Sequence, residues 1–230
     1  MTASNTVWQG AGRRIHMQEV GTRDGLQMEQ AFVPTEEKIA LVNALSNAGL
    51  SKIEVTSFTS PTAIPALRDA EIVMREITRL PGTVYTALVP NLRGAERAIE
   101  ARTDELNLVM SASETHNISN LRMTREQSFA SLAQVVATAQ AAQVAVNVSL
   151  SCVFGCPMEG NVHASAVFDW VQRFADLGVR GITLCDTTGM AYPTQVHQLT
   201  TAARALAGHG FHAALSQHAR HGAGQCAGGH

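Results

Sequence analysis

The chain has 230 residues, with 17 Lys and Arg against 19 Asp and Glu, for a formal net charge of −2. A balance this close to neutral gives no electrostatic footprint for nucleic acid or an anionic membrane surface. Apolar residues make up 45% of the chain, enough to bury a large core in one large domain or two small ones.

The N-terminal stretch MTASNTVWQGAGRRIHMQEV lacks the continuous apolar run of a signal peptide, and no apolar stretch is long enough to span a bilayer. A cytoplasmic location is therefore expected. The four cysteines, Cys152, Cys156, Cys185 and Cys226, are expected to be reduced there. The C-x-x-x-C spacing of the first two is not a usual zinc spacing, so neither a structural metal nor a disulfide is expected at that pair.

Six short apolar runs read as strands in chain order: IHMQEV, KIEVTSF, TVYTALVP, ELNLVMSA, VAVNVSLSCV and GITLCDT. Between them lie helical patterns. In PTEEKIALVNALSNAGL, Pro and Thr open the helix and Gly49 closes it, and FDWVQRFADLGV ends the same way at Gly178. Each unit runs about 30 to 40 residues, the size of a strand with its crossover helix. Strands this apolar, joined by helices, predict a buried parallel sheet. About six such units predict an α/β fold, either a doubly wound sheet or most of a (β/α)8 barrel. Polar residues gather where each strand ends (EVGTRDGLQ, EVTSF, VPN, SASETHN, SCVFGC, CDTTG). In a barrel all those ends meet at one mouth, which favours the barrel. The turn GTRDG after the first strand is not the G-x-G-x-x-G of a dinucleotide site.

Several residues at these ends can carry chemistry. Asp24 offers a hard carboxylate for a divalent cation. Arg23 offers a fixed positive fork for a carboxylate or a developing oxyanion. The same two residues read equally as a structural ion pair. Glu54 sits between Ile53 and Val55, and a carboxylate inside a strand is costly unless paired or wet. It is expected to face the mouth and meet a cation, Arg23 being the obvious partner, in a pair that is functional or purely structural. Asp186, before Thr187-Thr188-Gly189, is either a turn or helix cap or a second carboxylate facing the mouth. His116 is either an acid–base group or a hydrogen-bonding loop residue.

Taken together, the blocks EVGTRDGLQ, GLSKIEVTSFTSP, VPNLRGAERA, SASETHN, SLSCVFGCPMEG and CDTTGMAYP resemble the hydroxymethylglutaryl-CoA lyase family of metal-dependent TIM-barrel lyases. They cover roughly residues 15 to 210, in the family's order. R-D-G-x-Q alone would also fit the related isopropylmalate and citramalate synthases, but the EVG opening and SCVFGCP point to the lyase branch. The resemblance implies that Arg23 stabilises the enolate of the departing acyl-CoA, that Arg23 and Gln27 bind substrate, and that Asp24 ligates Mg2+ or Mn2+. It implies that Glu54 orients the arginine and that Asp186 takes part in proton transfer. Thr22 stands where many members have Pro, and Cys185 where many have Gly. The implied reaction is a retro-Claisen cleavage of a 3-hydroxy-3-methylacyl-CoA to acetyl-CoA and a keto acid, a step of leucine degradation. A related acyl-CoA lyase or synthase, of the citramalyl-CoA or isopropylmalate type, is the alternative enzyme. A non-catalytic acyl-CoA-binding fragment is the alternative without chemistry. A complete barrel would be expected to form a homodimer.

The family also implies a seventh strand carrying H-x-H, two metal ligands, within a block like LHFHNTRGMGLANVLA. Beyond the eighth strand it implies a glycine-rich loop with a reactive Cys, and an Asn ligand. The chain instead closes on LSQHARHGAGQCAGGH. Codons compatible with Ala213 onward, read one nucleotide over, can spell LHFHNTRGMGLANVL. The expectation is therefore an incomplete barrel over residues 1–210 and an aberrant, structureless tail over 211–230, translated out of frame. Its His218 and His221 are expected to be accidents of frame, since the Gly and Ala around them give no rigid frame for a metal. An incomplete barrel of this kind is expected to bind metal weakly and to leave hydroxymethylglutaryl-CoA uncleaved.

Overall fold

The computed structural model describes residues 16–207 and, as backbone only, the strand His212–Gln217. Seven parallel strands form one sheet: β1 (Gln18–Glu19), β2 (Lys52–Ser57), β3 (Val84–Leu88), β4 (Glu105–Ser111), β5 (Ala145–Ser151), β6 (Gly181–Asp186) and β7 (His212–Gln217). The helices between them are α1 (Thr35–Asn47), α2 (Ala70–Glu76), α3 (Leu92–Glu100), α4 (Glu114–Leu121), α5 (Arg125–Ala141), α6 (Ala164–Asp176) and α7 (Pro193–Leu206). Each of the six expected strand runs contains one of β1 to β6.

The order of strands in the sheet is their order in the chain. A doubly wound sheet needs a point where that order reverses, and β1 to β7 contain none. Progressive parallel winding with helices between strands is the construction of a (β/α)8 barrel. Among the described residues β1 and β7 are the two edges and are not paired with each other, so the fold is an open, partial barrel.

The expectation of a structureless stretch from residue 211 is corrected for His212–Gln217. This backbone pairs with β6 from Gly181↔His212 through Asp186↔Gln217. The physical reason is that β6 would otherwise present a row of unpaired N–H and C=O groups, and any segment able to extend there can satisfy them. Residues 218–230, with His218, His221 and Cys226, lie outside the described residues.

Strand periodicity gives the sheet two unlike faces. Leu106, Leu108 and Met110 of β4, Val146, Val148 and Leu150 of β5, and Ile182 and Leu184 of β6 join one core with Val135 and Val136 of α5 and Phe174 of α6. Each side chain of this size contributes about 1.5–3 kcal/mol on burial. The alternate positions are polar: Glu105 and Asn107, Asn147 and Ser151, and Thr183 are all buried. The helices stop as their sequences indicate. Gly49 (φ 81°) follows α1 and Gly178 (φ 78°) follows α6, a left-handed conformation that lacks a steric cost only for glycine.

Candidate active site

The site begins where β1 ends. The chain turns tightly over Gly21–Gly25, with the Arg23 and Asp24 N–H groups both donating to Val20 O at 3.0 and 2.7 Å. The buried Thr22 hydroxyl donates to Glu54 O at 2.7 Å and docks this turn onto β2. A proline at that position would have no hydroxyl to make the contact, so the departure at Thr22 supplies its own anchor.

The turn presents Arg23 to β2. Arg23 Nε donates to Glu54 Oε1 at 2.9 Å, and Arg23 Nη1 donates to Asp24 Oδ1 at 2.8 Å. The Glu54 side chain is 1% exposed and that of Arg23 10%, so the pair is shielded from water and its mutual attraction is little screened. Register between β2 and β3 shifts by one residue between Glu54 and Thr56. An irregularity of this kind beside a site re-aims the local side chains. The guanidinium is planar, so the two bonds at Nε and Nη1 also fix the direction of Nη2.

Among the described residues no hydrogen bond joins Gln27, Asp186 or His116 to this pair. Gln27, just beyond the turn, is half-buried and lines a surface groove with Met28, Phe32, Ile64, Pro65 and Arg68. Asp186 ends β6 and is 5% exposed. Its Oδ1 accepts from the Met190 N–H at 2.9 Å and the Ala191 N–H at 3.3 Å. Asp186 thus holds the turn after β6 through backbone N–H groups. His116, in the first turn of α4, is also buried, and among the described residues its Nδ1 has no hydrogen-bond partner. Burial pushes its pKa below the ordinary histidine value, against a smaller upward pull from Glu159.

Three buried thiols lie at the ends of β5 and β6 and in the loop after β5. Burial pushes Cys152 up to about 11, with Cys156 adding to the shift. Burial pushes Cys185 up to about 12, opposed by a hydrogen bond to Ser149. The Cys152 and Cys185 thiols therefore stay protonated near neutrality and are poor nucleophiles. Cys185 also feels the charges of Glu54 and Arg23, so the residue that departs from glycine faces the same region as the ion pair.

A Mg2+ or Mn2+ ion takes about six oxygen ligands in near-octahedral geometry. Among the described residues no group of three or more His, Cys, Asp or Glu side chains is placed to hold a metal. The carboxylate expected to ligate it, Asp24, already accepts a hydrogen bond from Arg23 through Oδ1. The described residues therefore do not fit a resident divalent cation.

Apart from Glu54, sequence reasoning centred on strand ends and passed over the polar residues inside the strands. Asn107, Asn147 and Thr183, with the half-buried Ser149, form a chain of hydrogen bonds that reaches Glu54. The signal was present as polar residues at alternate positions in ELN and VNVSLS, a period-2 pattern that marks a polar inner face.

The HMGL-like family model matches residues 14–228. The chain belongs to this family. The HMGL-like chain is 44% identical to hydroxymethylglutaryl-CoA lyase YngG of Bacillus subtilis over 190 residues, covering 83% of this chain and 64% of that protein. It is 38% identical to the mitochondrial hydroxymethylglutaryl-CoA lyase of Gallus gallus, with the same two coverages. A solved HMG-CoA lyase from Acinetobacter baumannii, in complex with coenzyme A and 3-methylmalate, superposes with a TM-score of 0.78 at 50% identity, covering 82% of this chain and 62% of that one. The HMGL-like chain thus spans less than two thirds of the length of these relatives.

Proposed function

We propose that this chain carries the acyl-CoA-facing part of a carbon–carbon lyase site, of the kind that cleaves a 3-hydroxy-3-methylacyl-CoA to acetyl-CoA and a keto acid. The observation that carries the reading is the buried Arg23–Glu54 pair at the head of a sequentially wound parallel sheet in an HMGL-like chain.

In this retro-Claisen step the tertiary hydroxyl loses its proton and its oxygen becomes the carbonyl of the keto acid. The carbon–carbon bond breaks, and its electron pair passes to the thioester, whose oxygen becomes an enolate. Arg23 offsets that developing charge through Nη2, while Glu54 and Asp24 hold the other two guanidinium nitrogens in place. Such a preorganised donor is most effective in a water-poor site. Asp186 is the proposed proton carrier, taking the hydroxyl proton and returning one to the enolate carbon to complete acetyl-CoA, and its Oδ1 is oriented by the two N–H groups it accepts from. Gln27 is proposed to contact the substrate from the rim. The expected Mg2+ or Mn2+ would need donors beyond Asp24. At the expected H-x-H position β7 reads HAALSQ. We therefore propose that the 230-residue chain binds the thioester but turns it over poorly, that the segment from about 211 is out of frame, and that the protein is cytoplasmic. Sequencing the coding DNA tests the frame: a seventh-strand block that no single-base change restores would reject it.

The 3-methylmalate in the A. baumannii complex favours a second reading, an acyl group derived from a small hydroxy-dicarboxylate. Calorimetric titration with a panel of hydroxyacyl-CoA esters, alongside an assay for free keto acid, tests both. Binding is expected to weaken about tenfold or more in Arg23→Met, the size of one lost charge-assisted hydrogen bond. Affinity indifferent to that substitution sinks the proposal. Turnover by the wild-type chain in the usual range of about 1 to 1,000 per second would show that the site is complete.

A further inference from the structure

We infer that Asn107 is a positioning residue that sets the Arg23 guanidinium through Glu54, at the head of a buried polar relay crossing the inner face of the sheet. The relay runs from the charged end outward. Glu54 Oε1 accepts from Arg23 Nε at 2.9 Å and from Asn107 Nδ2 at 3.3 Å. Asn107 Oδ1 in turn accepts from Asn147 Nδ2 at 2.9 Å and from Ser149 Oγ at 2.9 Å. Asn147 Nδ2 also reaches Thr183 Oγ1 at 3.1 Å. Glu54 and Asn107 are 53 residues apart and sit on β2 and β4. They meet over the small Thr86 of β3, whose own hydroxyl is turned to Glu105 O. Side chains of alternate strands share a layer inside a barrel of this kind.

The direction of every bond follows from one fact. A carboxylate only accepts, so Asn107 must turn its amide nitrogen to Glu54. Its oxygen then faces β5, where Ser149 and Asn147 donate to it. The amide cannot flip without losing its contacts to Glu54 and to Asn147 Nδ2. Glu54, Asn107, Asn147 and Thr183 are 1%, 4%, 7% and 8% exposed, so water offers little substitute. Two donors converging on Oε1, one from the turn after β1 and one from β4, fix the carboxylate plane, so the guanidinium is set by the same oxygen that Asn107 holds.

Stability does not account for this arrangement. The inner layers of parallel barrels are usually filled by Val, Ile and Leu. Replacing buried polar groups by apolar ones of similar volume is often neutral or stabilising. What a satisfied polar chain supplies is a single geometry, and here its charged end is Arg23. The consequence for thioester recognition rests on the function proposed above, whereas the positioning itself does not.

The test reads the Arg23 Nε–H resonance in protein labelled with 15N-arginine, identified by its loss in Arg23→Lys. Arg97, whose Nε donates to Glu71 Oε1 at 2.6 Å, is the internal reference. Asn107→Leu removes both halves of the amide. The isosteric Asn107→Asp keeps the oxygen facing β5 but replaces the donor to Glu54 with an acceptor. In each, hydrogen exchange at Arg23 is expected to accelerate about tenfold relative to Arg97, the size of one buried hydrogen bond. Combining Asn107→Asp with Glu54→Gln reverses donor and acceptor at unchanged net charge, and is expected to slow exchange back toward wild type. Tyr85→Phe removes buried hydrogen bonds to Ser46 and Thr78 away from the relay, and controls for general loosening. If Asn107→Leu does not fold, Asn107→Asp decides. The inference is overturned if exchange in Asn107→Asp stays within about twofold of wild type, a difference too small for a lost hydrogen bond, or if Tyr85→Phe accelerates it equally. Titrating the same variants with hydroxymethylglutaryl-CoA separates the two claims. Failure of the wild type to bind overturns the functional reading and leaves the exchange result to decide the positioning.

Discussion

Glu54 and Asp186 are both buried carboxylates on parallel strands, and the protein uses them in opposite ways. Glu54 lies inside β2, where the neighbouring backbone N–H groups are engaged in the sheet. Its partners must be side chains, and it takes Arg23 and Asn107. Asp186 closes β6, where the chain turns away and its N–H groups lose their ladder. It takes the Met190 and Ala191 N–H groups instead. A carboxylate in the middle of a strand therefore collects charge, whereas one at the end collects backbone. Both environments are dry, so burial does not separate the two. The supply of local donors does.

Four variants test this contrast, the truncation at Glu54 being the largest in expected effect and that at Asp186 smaller. Glu54→Ala leaves a buried guanidinium without its counter-charge and is expected to cost about 3–5 kcal/mol in urea unfolding. The double variant Arg23→Met with Glu54→Leu should recover most of that, because the charge is removed with its partner. A double variant no more stable than the single one would show that the pair is not the unit of stability. Asp186→Ala should cost about 0.5–2 kcal/mol, the range for a lost capping side chain, and Asp186→Asn, which keeps the accepting oxygen, much less. If Asp186→Ala proves as damaging as Glu54→Ala, the contrast fails.

The smallest effect concerns His116, a buried titratable group whose Nδ1 has neither kind of partner among the described residues. Burial lowers its pKa below 6.5 in the folded protein, against the pull of Glu159. As pH falls, the unfolded chain takes up this proton first, so stability that is present above pH 6.5 is lost as pH drops through the depressed folded value. Unfolding midpoints at neutral and mildly acidic pH should therefore differ more in wild type than in His116→Phe. An unchanged difference would show that other groups set the acid sensitivity.

Much of the fold was legible because its determinants are local. The six apolar runs carried β1 to β6, and Gly49 and Gly178 marked the ends of α1 and α6 where a left-handed residue was needed. The Arg23–Glu54 contact was legible for a different reason: a carboxylate flanked by Ile53 and Val55 has to find a cation, and the candidate strand ends offered Arg23. Asp186 could not be decided from sequence, since an Asp before Thr-Thr-Gly suits a cap and a catalytic group equally. The Thr22 anchor and the Asn107 relay were not foreseen. Their partners are 32 and 53 residues away in the chain, and no local pattern names them. β7 was missed because its strand character comes from the open edge of β6 more than from its own residues.

The sequence by itself determined the alternation of strands and helices, the polar strand ends and the need for a charge partner at Glu54. These follow from spacing, side-chain chemistry and the cost of burying an isolated charge. Only the tertiary structure decided that the strands wind in chain order, that Asp186 is turned to its own loop, and that Asn107 meets Glu54 across β3. Those outcomes depend on how the sheet curves and pairs, which brings distant residues into one layer and leaves the acceptor-only carboxylate to orient the rest.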